Sequence, residues 1–423
     1  MLGTTYDLVD SMMIGKFLGS EAFAATATTA PLVTLINAGF WGYLTGVAIF
    51  AAVLYGSGET QKLVGVVKIN MILSAAIAVI ISGACLCCKE AILTLLKVSE
   101  ELKEDAWSYF GIYISGMVMF QFGWGSSYVL SYLGDTNFPF LVSGISGICN
   151  VILNYLFLVP LKKGVGGCAA ASVISAAVSG ILLWRRLGLR AKEMNVKIRG
   201  AACRLEDFKH SVAFALPNFV QQLAMYAGTA IISPLTNSCA PAAISGLSVA
   251  NKIKQICANG YTGSNKANTA FTAQVIGAQR KDLLKKGMRI GALQTAVIFS
   301  LLALLCALFP DVLTSLMLSA EEDAEAVRYS ILLIRIFAPL TVFKAANNFL
   351  HGVFKAAGAG ELLAVSTGIY TVCLIVISKL LYAAAPAALR IYALALAMVL
   401  ADGLELVFSG VVFCKGKWKK QWL

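Results

Sequence analysis

The chain has 423 residues, of which 58% are hydrophobic and only 13% charged, and its formal net charge is +12. A soluble globular chain carries about 25% charged residues, so this composition excludes an ordinary water-soluble domain. Nor does the positive balance mark a nucleic-acid binder, because the basic residues fall in alternate loops between apolar blocks, the topology signal of membrane proteins.

The apolar blocks are long enough to cross a bilayer, about 20 residues each. They do not alternate apolar with polar, as the strands of a transmembrane barrel would. The expected fold class is all-α: a polytopic membrane protein of about twelve transmembrane helices in two pseudo-symmetric six-helix bundles. The first span ends near Gly15. Met1 to Ile14 is too short to cross alone, so this helix is either half-length or lacks its front half in this chain. The second covers residues 22–54 and reads as broken by Pro31 and a glycine series. Spans three to six follow at 64–87, 106–133, 138–159 and 166–184. The second half reads as spans at 212–235, 242–276, 288–308, 331–354, 362–382 and 389–413. These give an N-terminal lobe over residues 1–186, a cytoplasmic linker over 187–207 and a C-terminal lobe over 208–423.

Basic residues set the orientation. They cluster between the halves (Arg185, Arg186, Arg190, Lys192, Lys197, Arg199, Arg204, Lys209), after the eighth span (Arg280, Lys281, Lys285, Lys286, Arg289) and in the tail (Lys415, Lys417, Lys419, Lys420). All three segments fall on one side, which is then cytoplasmic, with both termini there. The acidic run Glu321-Glu322-Asp323-Ala324-Glu325 lies opposite. The chain is expected in the cell membrane as a multi-pass protein.

The halves read as copies. Tyr55-Gly56-Ser57 matches Ile276-Gly277-Ala278, and the stretch from Ile92 to Glu101 matches that from Leu313 to Glu322, at a constant offset of 221 residues. Six spans separate the copies, so they share one orientation, as in transporters built from parallel repeats whose lobes open alternately to either side.

Within the apolar opening lie Asp7 and Asp10, three apart and so on one helix face. A carboxylate at membrane depth costs roughly 2.5–3.5 kcal/mol on insertion scales and marks an ion or substrate path, where it can take and release protons. A wet chain end is the plainer reading, stronger for Asp7 than for Asp10. Asn150 and Asn154 share a face of span five and either bridge helices or line a wet cavity. Gln121, Gln221 and Gln222 are cavity-wall candidates by polarity alone. Lys252, Lys254 and Lys266 fall inside span eight, where they either build a polar second-lobe cavity open to anions or snorkel from a shorter span. Asp402 and Glu405 share a face of span twelve and either pair with Lys344 or Lys379 or form a second ion site. The eleven cysteines are scattered and argue against a disulfide framework. The two histidines, His210 and His351, fit no ligand spacing, so neither a metal nor any other cofactor is expected.

Tyr6-Asp7-Leu8-Val9-Asp10-Ser11-Met12-Met13-Ile14-Gly15-Lys16-Phe17-Leu18-Gly19, followed by Ala22-Phe23-Ala24-Ala25, resembles the opening motif of the multidrug and toxic compound extrusion (MATE) transporters. Gln274-Val275-Ile276-Gly277-Ala278 resembles that family's second-half signature, with Val275 where Asn is usual. Leu133-Gly134-Asp135-Thr136, Asn150-Val151-Ile152-Leu153-Asn154, Gly164 to Ser172, and Leu216-Pro217 with Gln221-Gln222 resemble its later motifs in order. The resemblance implies two six-helix bundles facing a central cavity, and export of organic, often cationic or amphipathic, compounds against entry of H⁺ or Na⁺. It implies an ion-coupling set of Asp10, Asn150, Asn154 and Ser172, to which Asp7 is added by its shared face with Asp10; Tyr6, Gln121, Gln221, Gln222 and Lys266 are the residues expected at the substrate cavity. The chain departs from the family where Asp is often found in place of Asn154 and Thr in place of Ser172. Asn cannot titrate, so coupling would rest on Asp10, and H⁺ is favoured over Na⁺.

The expected protein is therefore an antiporter rather than an enzyme, working as a monomer on a small-molecule substrate in the lipid bilayer, without nucleic acid. A lipid-linked oligosaccharide flippase of the same broad superfamily is the alternative. A membrane-embedded transferase would need a second acidic motif facing Asp7-Leu8-Val9-Asp10, and none is present.

Overall fold

In the computed structural model, residues 10, 13–15, 17–96, 98–196, 200–315, 317 and 324–421 are described. Every regular element among them is helical. Backbone N–H and C=O groups find no partners in hydrocarbon, so a chain this apolar must close its hydrogen bonds within each segment. The chain divides into two compact units, Met1–Ala215 and Leu216–Leu423.

In the first unit an opening helical stretch includes residues 10, 13–15, 17 and 18. It is followed by α1 (Ser20–Gly56), α2 (Thr60–Cys87), the short α3 (Lys89–Leu95), α4 (Lys103–Ser115), α5 (Met117–Tyr132), α6 (Asn137–Leu158) and α7 (Gly164–Glu193). The helix α8 (Leu205–Asn237) begins in this unit and ends in the next. The second unit continues with α9 (Pro241–Gly277), α10 (Lys281–Leu308), the short α11 (Pro310–Ser315), α12 (Ala324–Ala356), α13 (Gly360–Ala384) and α14 (Arg390–Cys414).

The internal repeat is visible in the element boundaries. The helices α1 and α9 both have 37 residues, α2 and α10 both have 28, and each pair starts 221 residues apart. The turns repeat as well. After α1, Glu59 N donates to Leu54 O at 2.9 Å and Gly58 N to Tyr55 O at 3.1 Å. After α9, Arg280 N donates to Val275 O at 3.2 Å and Gln279 N to Ile276 O at 3.0 Å. This pair of bonds defines a Schellman cap, which needs a left-handed residue at its closing position. Gly58 (φ 78°) fills it in the first copy and Gln279 (φ 54°) in the second.

Two expectations about continuity are corrected. The helix α1 runs unbroken through Pro31. Proline removes one donor from the ladder, the one that would reach the Ala27 carbonyl, and a membrane helix tolerates that single loss while its other backbone bonds stay closed. The fourth span is instead two helices, α4 and α5, separated at Gly116, where a Cβ would lie 2.3 Å from Val173 Cγ2 of α7.

Eight helices among the described residues are long and apolar enough to cross a membrane by length and composition. The pair α4–α5 is split, α8 carries Pro217 and Pro234, and α9 carries three lysines and several amides, so these fall outside that set. Large apolar side chains such as Ile80, Phe140, Leu293, Leu380 and Val407 are exposed on outer helix faces. The polar side chains Asp10, Asn70, Asn150, Asn154, Asp402 and Glu405 are buried. That inversion suits a protein whose surroundings are lipid.

Candidate functional site

In the first unit, four of the five residues of the expected ion-coupling set are described, and the fold brings them together. Asn150 and Asn154 sit one turn apart on α6 and face Ser172 of α7 and Asp10 of the opening helix. Asp10 is only 3% exposed. Its Oδ2 accepts from Ser172 Oγ at 2.6 Å, and its Oδ1 accepts from Asn154 Nδ2. Asn154 Nδ2 also donates to Asn150 Oδ1 at 3.2 Å, and Asn150 Nδ2 donates to Ser172 Oγ at 3.1 Å. Ile14, Ala22, Leu158, Val165 and Cys168 form the apolar packing beside it. No ion pair to Asp10 is found among the described residues, whose amide and hydroxyl dipoles hold the carboxylate. Asn154 Oδ1 is buried without a hydrogen-bond partner. Asp7 and Tyr6 lie outside the described residues.

The second unit holds a larger polar cluster. Lys344 Nζ of α12 lies 2.5 Å from Asp402 Oδ1 and 4.0 Å from Glu405 Oε2, both on α14. The pairing expected with Lys344 or Lys379 is thus with Lys344. Its ammonium also sits 3.7 Å from the centroid of the Tyr370 ring of α13, and Asn347 Nδ2 donates to the Asp402 carbonyl at 3.0 Å. His351, read in sequence as fitting no ligand spacing, joins this cluster. Its Nε2 is 2.9 Å from Ser366 Oγ and 3.4 Å from Glu405 Oε1. Ser366 Oγ is 2.7 Å from Ser409 Oγ, and Gln221 Nε2 of α8 is 3.2 Å from His351 Nδ1. Sequence reasoning missed His351 because its partners come from three other helices. The signal available was its position seven residues after Lys344, two turns along one face.

The residues expected at the substrate cavity divide between the units. Gln121 belongs to the first, where it is buried with neither amide atom paired among the described residues. Gln221, Gln222 and Lys266 belong to the second and are half-buried, and Gln221 is engaged by His351. Since α9 is one helix from Pro241 to Gly277, Lys254 and Lys266 sit well inside it. Lys254 Nζ lies 4.8 Å from the Phe337 ring centroid and 4.0 Å from Met398 Sδ, while Lys252 is exposed.

A lipid-facing apolar shell around duplicated helical units, with ionisable groups buried inside each, defines a membrane transporter built on an internal repeat. The MatE family profile matches residues 1–156 and 217–380, and the chain belongs to that family of multidrug efflux transporters. It is 22% identical over 363 residues to "Probable multidrug resistance protein YpnP" of Bacillus subtilis (strain 168), covering 85% of this chain and 79% of that protein. It is 23% identical over 367 residues to "Probable multidrug resistance protein YoeA" of the same organism, covering 85% and 78%. Among solved structures it resembles the "Outward-facing conformation of a multidrug resistance MATE family transporter of the MOP superfamily", with a TM-score of 0.89, 18% identity and coverage of 99% of this chain and 93% of that one. The fold is the two-lobe, twelve-helix arrangement of MATE transporters.

Proposed function

We propose that this protein is an H⁺-coupled antiporter that exports organic, cationic or amphipathic small molecules, with Asp10 as the proton carrier. The supporting observation is the Asp10 site itself: a buried carboxylate held by Ser172 and Asn154, with no ion pair to it among the described residues.

The site can satisfy both protonation states. As a carboxylate, Asp10 accepts from the Ser172 hydroxyl and the Asn154 amide. Once protonated, its O–H needs an acceptor, and Asn154 Oδ1 is buried and unpartnered. Rotating the Asn154 amide presents that oxygen, while the Ser172 hydroxyl is free to turn elsewhere. Proton binding therefore repacks the opening helix against α6 and α7. Substrate and proton then bias the same equilibrium in opposite directions, which by linkage couples inward proton flow to outward substrate flow. Hard metal cations take several oxygen ligands, whereas N–H and O–H donors reach both Asp10 oxygens here, which supports H⁺ over Na⁺. The same reading has the chain acting as a monomer in the cell membrane with both termini cytoplasmic, in keeping with the basic linker and tail.

The test is efflux of a fluorescent organic cation from proteoliposomes under an inward pH gradient. Asp10→Asn is expected to abolish gradient-driven efflux while the protein stays folded and monodisperse. Normal efflux by that variant would exclude the role. Ser172→Ala is expected to lose the equivalent of a charge-assisted hydrogen bond, about 1.5–3 kcal/mol, and Ser172→Thr to retain activity.

A further inference from the structure

We infer that the second unit carries its own proton-binding site, centred on Glu405 and completed by His351, Ser366 and Ser409. The inference stands independently of the role proposed for Asp10 and of what the protein exports.

The geometry separates the two acids of α14. Asp402 has the Lys344 ammonium at 2.5 Å, a distance that accounts for both charges as a structural ion pair. Among the described residues Glu405 has no such partner. Its Oε2 is 4.0 Å from the same ammonium, and its Oε1 faces the neutral donors of Ser366 and His351. An acid buried to 3% exposure with only a shared, distant cation is costly as an anion and stable once it holds a proton.

Hydrogen bonding at Glu405 Oε1 can be satisfied in either state. Gln221 Nε2 can only donate, so His351 Nδ1 accepts and the imidazole proton sits on Nε2, aimed at Ser366 Oγ. Ser366 Oγ then accepts from His351 and has one proton to give. With Glu405 ionised, Ser366 donates to Glu405 Oε1, 3.4 Å away. With Glu405 protonated, the glutamic acid O–H donates to Ser366 Oγ, and the serine turns its own proton to Ser409 Oγ at 2.7 Å. One proton from water forms one O–H bond on Glu405, and two hydroxyl rotations accommodate it.

The charged and titratable groups around Glu405 come from α12, α13 and its own helix. Facing Glu405 are Lys344 and His351 from α12, Ser366 and Tyr370 from α13, and Asp402 and Ser409 on its own helix. Lys254 and Tyr261 of α9 act on the neighbouring Asp402–Lys344 pair.

The test is infrared difference spectroscopy of the purified full-length protein in detergent, titrated with acid and read in the carboxylic-acid C=O stretch. The wild type is expected to gain a component that Glu405→Gln lacks and Asp10→Asn retains. A Glu405→Gln spectrum identical to wild type would overturn the site. Ser409→Ala keeps the acid but removes the last acceptor of the chain, so it is expected to shift that component in frequency and pH midpoint. Should Glu405→Gln not fold, this variant decides, and an unshifted component would refute the assignment. Loss of signal in Asp10→Asn alone, with none in Glu405→Gln, would likewise refute it.

Discussion

Lys344 and Asp402 meet at 2.5 Å between Nζ and Oδ1, with the Asp402 side chain fully buried. Breaking a buried pair by removing one member is costly, about 3–5 kcal/mol, because the other charge is left without compensation. Replacing both by apolar groups is close to neutral. Lys344→Met is therefore expected to lower stability by that amount, and Lys344→Met with Asp402→Leu to lower it much less. Denaturation in detergent measures both. Equal losses in the single and double variants would show that the pair carries no coupling.

The duplicated caps supply a matched comparison. Gly58 and Gln279 occupy equivalent left-handed positions, but only glycine adopts that conformation without Cβ strain. Gly58→Gln is expected to cost about 1–2 kcal/mol. Gln279→Gly is expected to be neutral or mildly stabilising, since relief of strain offsets the extra entropy of the unfolded chain. Thermal unfolding of the two variants side by side checks the asymmetry, and equal destabilisation by both would contradict it.

A third expectation concerns the end of α7, beyond the apolar stretch. Arg190 Nη1 donates to Glu193 Oε2 at 2.7 Å, and Arg186 donates to Glu193 at 3.2 Å and to Asp135 at 2.7 Å. The Arg190 hydrogen bond holds the Glu193 carboxyl below the usual glutamate range. A depressed folded value means that the contribution is complete above the unfolded range and is lost as pH falls through the folded one. The wild type is expected to lose a small increment of stability on acidification that Glu193→Gln does not lose, and high salt should shrink the difference by screening. A variant that tracks the wild type at every pH and salt would remove the claim.

How much of this could be read in the chain depends on where each partner lies. Asp10 stood out because a carboxylate is rare in an apolar run, and Asn150 and Asn154 because two amides share a helix turn. Ser172 did not stand out, since a small hydroxyl residue in a membrane helix is routine; it entered through family resemblance, and the bond to Asp10 spans 162 residues of sequence. Pro31 was misread for a related reason. Proline breaks helices in water, whereas here one donor is lost, the rest of the ladder stays closed and the helix continues.

Composition, apolar block length and the 221-residue offset were enough to specify a duplicated helical membrane protein, because those features are set by the cost of exposing backbone and charge to hydrocarbon, which any window of sequence reports. What the tertiary structure alone decided is which buried polar groups share a charge. His351 meets Glu405, Ser366 and Gln221, and Lys344 chooses Asp402, only where α8, α12, α13 and α14 pack. Electrostatic compensation in low dielectric acts over a few ångströms of space, and that distance is not written in residue numbers.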